Sequence, residues 1–191
     1  MRYQPEHKAK IHQKIVKDAS RRVRAEGITG AAVTTVMRDA GLTHGGFYKH
    51  FGSKDELLLE SLHEAFLEMG DRMEEAAERL PREAAWKAVV KLYLSPEHCD
   101  HAACGCPVAA LAPELARAEK GMKATIVGEL IQYKGRILPW MPGRRTAEKE
   151  RAFFAIFSTM IGAVAIARIL PDGAARAKVL ASARDFLLRS F

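Results

Sequence analysis

Apolar residues recur along this 191-residue chain at the spacing of an α-helix, and no segment alternates with period two over the length of a strand. In the clearest case, four apolar residues would share one face of a helix whose other face is basic: Ile11, Ile15, Ala19 and Val23. Proline and glycine interrupt the pattern at intervals, as they do between helices. The sequence therefore predicts an all-α fold of about nine helices.

The positions of the helices follow from these interruptions. The first helix is expected to end at Gly27 and Gly30. The fourth should begin at Ser53, which forms a capping box with Glu56, and run to about Leu80. The other seven are expected at about 33–40, 44–50, 82–94, 107–117, 120–138, 145–169 and 173–190. Since 48% of the residues are hydrophobic, these helices can bury a sizeable core.

The charge of the chain is basic and unevenly placed. Lysine and arginine number 30 against 23 acidic residues, a formal charge of +7. Much of the excess lies on the first helix, at Lys8, Lys10, Lys14, Lys17, Arg21, Arg22 and Arg24. This face is either simply solvated or raises the positive potential near a polyanion such as DNA.

The sequence also indicates a cytoplasmic protein with no membrane segment. Its N-terminus is polar, and no apolar stretch of a signal peptide follows it. The longest uncharged stretch, Ala152 to Ala167, is shorter than the roughly 20 residues that a membrane span needs. Three cysteines in a chain without an export signal are typical of a reducing compartment.

The segment from Val33 to Phe51 has the layout of a helix-turn-helix, with two short helices around a turn at Gly41. Its apolar residues would pack the two helices together. The remaining side chains of the second helix would face outwards: Thr43, His44, Gly45, Gly46, Tyr48, Lys49 and His50. Small residues at the start of that helix allow close approach to base edges. Tyr48, His50 and Lys54 are suited to phosphate oxygens.

Residues 27–62 closely resemble the DNA-binding segment of the TetR family. The matching positions are Gly27, Val33, Ala40-Gly41-Leu42-Thr43, Gly46-Phe47-Tyr48, His50-Phe51, Ser53-Lys54 and Leu57-Leu58. The resemblance implies an N-terminal three-helix DNA-binding domain, a C-terminal helical ligand-binding and dimerisation domain, and a homodimer. It also implies repression of an operator that a small ligand relieves. Beyond residue 62 the likeness is one of architecture only.

Within this frame we expect the DNA-binding domain at residues 1–58 and the second domain at residues 59–191. The chain departs from the family at Ala32, where members often carry a serine or threonine that caps the second helix. Thr34 or Thr35 is therefore expected to contact phosphate instead.

The second domain should hold an apolar or aromatic effector. Methionine and aromatic side chains make adaptable walls for such a ligand, although they serve equally well as plain core. The residues expected to line the pocket are Met69, Met73, Trp86, Tyr93, Met122, Tyr133, Phe153 and Phe157.

The last two helices look too apolar to be covered on one side only, and small residues between their large ones would allow close approach. We expect them to form a two-fold, four-helix interface between two copies of the chain. The contact residues would be Ile156, Met160, Ile161, Val164, Val179, Phe186 and Leu187. An intrachain core is the alternative interpretation.

Three cysteines and two histidines cluster at residues 98–106. Three interpretations are open: incidental loop residues, a thiol sensor or a metal site. The cluster lacks the Cys-x2-Cys pair of common zinc sites. A sensor would use Cys106, whose pKa the start of the following helix could lower. A thiol-, electrophile- or metal-switched repressor thus remains an alternative, as does an architectural DNA-coating protein. No catalytic constellation stands out, so neither an enzyme nor a cofactor is expected.

Overall fold

The structure, a computed structural model, describes residues 5–191 and contains nine α-helices and no strand in that range. The helices are α1 Pro5–Gly30, α2 Val33–Asp39, α3 Lys54–Ala77, α4 Arg82–Tyr93, α5 Pro96–Asp100, α6 Pro107–Ala116, α7 Lys120–Ile137, α8 Thr146–Ile169 and α9 Gly173–Ser190. The segments His44–Lys49, Ala102–Cys104 and Leu138–Trp140 are 3₁₀-helical. The all-α prediction is confirmed.

Two expected helices differ in detail. Gly27 bends α1 with a φ of +79° instead of ending it, and the Ile28 amide freed by the bend donates to Glu114 Oε2 at 2.9 Å. The segment His44–Lys49 is a 3₁₀-helix rather than an α-helix. Gly45 and Gly46 follow each other there, and glycine is a poor helix former, so a short segment does not reach regular α geometry.

The start of α3 is capped almost as predicted. Ser53 Oγ accepts from the Glu56 amide at 3.1 Å. The Glu56 carboxylate reaches back one residue further than expected, to the Gly52 amide at 2.5 Å. Two backbone donors at the N-terminus of α3 are therefore satisfied, which fixes where the helix leaves the helix-turn-helix segment. The helix ends at Ala77, three residues before the expected Leu80.

The buried side chains form three clusters. One lies between α1, α2 and the start of α3 and includes Ile15, Val36 and Phe47. The largest joins α3, α4, α6, α7, α8 and α9. A small cluster around Leu62 and Leu111 lies between these two, where α1, α3, α6 and α7 meet. Helix α3 contributes to all three, so it is the continuous element between the two ends of the molecule.

A ladder of ion pairs also fastens α3 to α1. Three glutamates at four-residue spacing on α3 each meet a basic or imidazole side chain of α1: Glu60 with His12 at 2.6 Å, Glu64 with Lys17 at 3.7 Å, and Glu68 with Arg24. On its other side, α3 is bound to α7, where Arg136 Nη2 lies 2.6 Å from both Asp71 and Glu74 carboxylates. A displacement of α3 therefore perturbs α1 directly.

Helix α8 is long and apolar enough to cross a membrane by length and composition alone. Its inward face, however, belongs to the largest buried cluster, and its N-terminal half follows the charged residues around Arg145. We therefore interpret it as a core helix of a globular protein.

Candidate DNA interface and effector core

The turn before the segment His44–Lys49, which we call the recognition segment, has the geometry that the motif predicts. Gly41 has a φ of +76°, which glycine adopts without strain, and the Leu42 amide donates to the Met37 carbonyl at 2.8 Å. Phe47 and Phe51 are 1% and 2% exposed and stack on each other with ring centroids 5.4 Å apart. These contacts hold one face of the recognition segment against α1 and α2 and leave the other face in solvent.

The residues predicted to contact DNA lie around this outward face. Tyr48 is 71% exposed, and its ring meets the edge of His44 at a centroid distance of 6.5 Å. The exposed members of the predicted set are Thr34, Thr43, His44, Gly45, Tyr48, Lys49 and Lys54, while Thr35, Gly46 and His50 are half-buried. Lys54 is the first residue of α3, so its ammonium group lies beside backbone N–H groups that also favour an anion.

His50 is held differently from its exposed neighbours. Its Nδ1 is buried and has no hydrogen-bond partner among the described residues. Burial lowers the pKa of His50, and the nearby positive groups of His12, Lys8 and Lys49 lower it further. Both effects favour the neutral imidazole, so the predicted phosphate contact of His50 would be a hydrogen bond rather than an ion pair.

A cavity of about 320 Å³ separates the N-terminal end of α1 from the recognition segment. Its walls are Lys8, Ile11, Leu42, Thr43, Gly46, Lys49 and His50. The sequence showed Lys8 only as one member of a basic face. In the structure, Lys8 and Lys49 line the same cavity, which places α1 beside the predicted DNA contacts.

The predicted effector pocket is a tightly packed aromatic and methionine core. Seven of the eight predicted residues lie in the largest buried cluster: Met69, Met73, Trp86, Tyr93, Tyr133, Phe153 and Phe157. Phe153 stacks on Phe157 at 4.3 Å, and Tyr133 meets Phe157 edge-on at 5.8 Å. The eighth, Met122, is half-buried against the small cluster around Leu111 and does not join this core. Helix α7 turns it towards α6, so it lies apart from the other seven residues.

Two tyrosine hydroxyls and one thiol lie in that core. Tyr133 donates to the thioether sulfur of Met73 at 3.0 Å. The Tyr93 hydroxyl lies beside the Cys106 thiol, but it is buried without an oxygen or nitrogen partner in the described chain. Burial raises the pKa of both tyrosines well above the usual value. An unpaired buried donor of this kind costs about 1–3 kcal/mol.

Two of the three cysteines, Cys99 and Cys106, do not have the environment of a reactive thiol. Cys106 and Cys99 are buried, and burial raises the pKa of each thiol. The expectation that the helix start lowers the pKa of Cys106 is wrong, because desolvation outweighs the effect of the α6 N-terminus. Cys104 is exposed. Within residues 5–191, no three His, Cys, Asp or Glu side chains are gathered as a metal ion requires.

Residues 98–106, which we call the cysteine loop, are held by arginines from four helices. Arg24 of α1 donates to the Gly105 carbonyl at 3.1 Å, and Arg72 of α3 donates to the Cys104 carbonyl at 2.8 Å. Arg168 of α8 donates to the His98 and Cys99 carbonyls, each at 3.0 Å. Arg176 of α9 binds Asp100 at 2.7 Å. The loop thus touches the DNA-binding end, the core and the last two helices.

His98 fixes the inner side of the cysteine loop. Its Nδ1 donates to the Tyr93 carbonyl at 2.6 Å, and its Nε2 accepts from the Cys106 amide at 2.9 Å. Burial, together with the charges of Arg168 and Arg72, lowers the pKa of His98 to about 4 despite the hydrogen bond to the Tyr93 carbonyl, so the imidazole is neutral near pH 7. The tautomer follows from these two partners.

The last two helices bury a different face from the one expected. Four predicted interface residues have no accessible surface and pack inside the chain: Ile156, Met160, Val164 and Leu187. These residues do not lie on a surface that a second copy could reach, so their assignment to an interface is wrong. Ile161 and Val179 are half-buried, and Phe186 is 61% exposed.

The outer face of the same helices is apolar as well. Phe154, Ile166 and Ile169 are 58%, 55% and 80% exposed. A shallow groove between α8 and α9 is floored by small residues and edged by large ones, among them Gly162, Ala163, Ile166, Val179, Ala183 and Phe186. This outer face was not separated from the inner one by sequence reasoning.

Comparison with known proteins gives a family for the N-terminal segment and a fold for the whole chain. Residues 15–61 match the family model described as "Bacterial regulatory proteins, tetR family". A TetR transcriptional regulator from Chloroflexus aurantiacus J-10-FL is 21% identical over 96% of this chain and 95% of its own, with a TM-score of 0.78.

Two further solved structures are similar over nearly their full length. Reduced NemR from E. coli is 14% identical, covering 94% of this chain and 96% of its own, with a TM-score of 0.75. FadR from Bacillus subtilis, solved with stearoyl-CoA, is 17% identical over 94% and 98%, with a TM-score of 0.68. At these identities the likeness establishes a shared fold. No curated protein matches the chain in sequence.

Proposed function

We propose that the chain, whose residues 15–61 match the tetR-family model and whose fold is shared with a solved TetR transcriptional regulator, is a ligand-released repressor. It would bind a near-palindromic operator as a homodimer in the cytoplasm, and act by binding rather than by catalysis. Residues 1–58 would bind DNA, and residues 59–191 would bind the effector and the second copy.

One observation carries the proposal: the recognition segment exposes one face to solvent, while Phe47 and Phe51 anchor its other face in the core. Its exposed side chains combine small residues at the leading end with hydrogen-bonding groups behind them, as base reading in a major groove requires. Lys49 and Lys54 flank it, and α1 adds the basic side chains around Lys8. Phosphate contacts from these cations would position the segment, while His44 and Thr43 would read bases.

A second copy of the chain fits the outer face of α8 and α9. Soluble proteins seldom expose several large apolar side chains on one continuous face unless it is an interaction surface. Small residues along the groove let two helices approach closely, and a two-fold axis through it would give a four-helix contact. The dimer contacts would then be Ile166, Ile169, Val179 and Phe186, with Phe154 at the edge.

The effector would bind within the largest buried cluster. Methionines can repack around an apolar guest, and this cluster contains Met69, Met73, Met141 and Met160. FadR from Bacillus subtilis, which shares the fold, was solved with stearoyl-CoA and so supports an apolar ligand in this bundle. Binding in the core would displace α3, which carries Lys54 at one end and core methionines further along. A ligand acts in this way only if it binds the released state more tightly.

The test is a footprint of the full-length protein on the DNA next to its own gene. The proposal predicts one protected near-palindrome, with half-sites about one helical turn apart or slightly more. Broad coverage without a discrete site would instead indicate an architectural protein. The dependence of operator affinity on a thiol oxidant, compared between the native chain and Cys106→Ser, decides the thiol-switched alternative. We expect no difference because Cys106 is buried.

A further inference from the structure

Two buried hydrogen-bond donors near His98 have no oxygen or nitrogen acceptor in the described structure, and the Cys106 sulfur lies beside one of them. One is the Tyr93 hydroxyl, which is fully enclosed in the core. The other is Nη1 of Arg168, whose Nε and Nη2 are already used on the Cys99 and His98 carbonyls. The Tyr93 ring packs on the His98 ring with centroids 4.3 Å apart, and Arg168 binds the His98 carbonyl, so both residues contact His98.

The electrostatic surroundings of these donors are positive. Arg24, Arg72 and Arg168 all donate to carbonyls of the cysteine loop, and α6 begins at Pro107 with the Val108 and Ala109 amides directed at the Cys106 sulfur. Arg24 is paired with Glu68, but Arg168 has no carboxylate within ion-pair distance among residues 5–191. Because His98 and Cys106 are both neutral, neither compensates the positive charge of Arg168.

A carboxylate matches both donors. Its two oxygens accept from a guanidinium N–H and from a hydroxyl at the same time, and its single negative charge balances one arginine. A phosphate group would bring more charge than one unpaired guanidinium nitrogen and one hydroxyl can bind. The adjoining walls are apolar, with Phe157 and Met160 on the same side of the core as Tyr93. They favour an apolar body behind the charged group.

We propose that the effector is an apolar carboxylic acid, held as its carboxylate by Arg168 and Tyr93 and with its apolar body among the core methionines. This inference rests on the proposed function, because it names the ligand class of the same core. It also explains how binding reaches DNA. A carboxylate that draws Arg168 Nη1 towards Tyr93 would pull on the His98 and Cys99 carbonyls, which the same guanidinium holds through Nη2 and Nε. The cysteine loop that would then move carries the Gly105 carbonyl bound by Arg24 of α1.

The direct test uses DNA-free, full-length protein and calorimetric titration with benzoate and with straight-chain carboxylates from butyrate to myristate, each compared with its own amide. We expect at least one acid to bind. Its amide should bind at least about tenfold more weakly, because the amide lacks the negative charge but has the same apolar part. If no acid of the panel binds, or if the acid and its amide bind equally, the inference is wrong. A protein that still protects its operator would then keep the proposed regulator function.

Two variants and one control locate the site. Arg168→Gln should reduce acid affinity about tenfold and leave amide affinity nearly unchanged. Tyr93→Phe should weaken acid binding severalfold. Because it keeps the aromatic ring, it still tests the site if Arg168→Gln fails to fold. Arg176→Gln is the control, since Arg176 also holds the cysteine loop but already binds Asp100. Equal losses in Arg168→Gln and Arg176→Gln, or unchanged acid binding in Tyr93→Phe, would overturn the assignment.

Discussion

Replacing Arg24 with methionine should destabilise the protein far more than replacing any other basic residue of the α1–α3 ladder. The Arg24 side chain has no exposed surface, and it donates to the Gly105 carbonyl, the Ser20 carbonyl and the Ser20 hydroxyl as well as to Glu68. Methionine fills a similar volume with no donor. The variant therefore leaves a carboxylate and a loop carbonyl without their partner.

The magnitude follows from the exposure of each group. Removing one partner of a fully buried ion pair costs about 3–5 kcal/mol. The Glu68 side chain is 26% exposed, so water can solvate its carboxylate in part, and we lower this value to about 2 kcal/mol. The unpaired Gly105 carbonyl adds about 1 kcal/mol. The free energy of unfolding should thus fall by about 3 kcal/mol.

The assay is urea unfolding at one fixed protein concentration, because a dimer couples stability to concentration. Lys17→Met is the matched control: Lys17 meets Glu64 at 3.7 Å in the same ladder but is 55% exposed, so its loss should cost at most about 0.5 kcal/mol. Adding Glu68→Leu to Arg24→Met should recover much of the loss, since no buried charge then lacks a partner. If Arg24→Met and Lys17→Met were equally stable, burial would not decide the strength of these pairs.

Four further outcomes are expected. Lys54→Ala should lower operator affinity for all sequences and reduce the slope of log affinity against log salt by about one, measured by filter binding from low to high salt. His44→Ala should change base preference in a selection experiment, and an unchanged preference would remove His44 from base reading. Phe186→Asp should yield a monomer in analytical ultracentrifugation with an unchanged helical signal, because Phe186 is 61% exposed and buries little within one chain. The His98 pKa of about 4, below the unfolded value near 6.5, means that the unfolded chain binds more protons between these values. Stability should therefore fall by about 2 kcal/mol from pH 7.5 to pH 5, and His98→Gln should flatten that dependence.

The helix-turn-helix could be predicted because its signals are local. A glycine with positive φ, a capping serine and two phenylalanines four residues apart each act within one or two turns of helix, so Gly41, Ser53, Phe47 and Phe51 behave as expected. The glutamates of α3 were equally visible at four-residue spacing. Their partners on α1 were not, since the register between two helices depends on how their apolar faces pack.

The dimer contacts failed for a related reason. Helix α8 is apolar on both faces, so periodicity cannot decide whether Ile156 or Ile166 points inward. The structure decides it through α4, α6 and α9, which cover Ile156 and leave Ile166 55% exposed. A helix with two apolar faces buries both only if each face packs against another surface. Within the described residues, other helices bury the inner face of α8 and leave its outer face exposed. This is why we propose the outer face as the contact with a second copy.

Cys106 shows where a sequence rule gives the wrong sign. Its place before Pro107, at the start of α6, suggests a lowered pKa, and helix amides do stabilise a thiolate. Burial in the same core as Tyr93 and Tyr133 opposes this and prevails, because a charged sulfur would lose its hydration there. The same burial that makes the thiol inert leaves the hydroxyl of Tyr93 without an acceptor. A ligand that brings its own acceptor, rather than an oxidant, is therefore the perturbation to which this part of the core should respond most strongly.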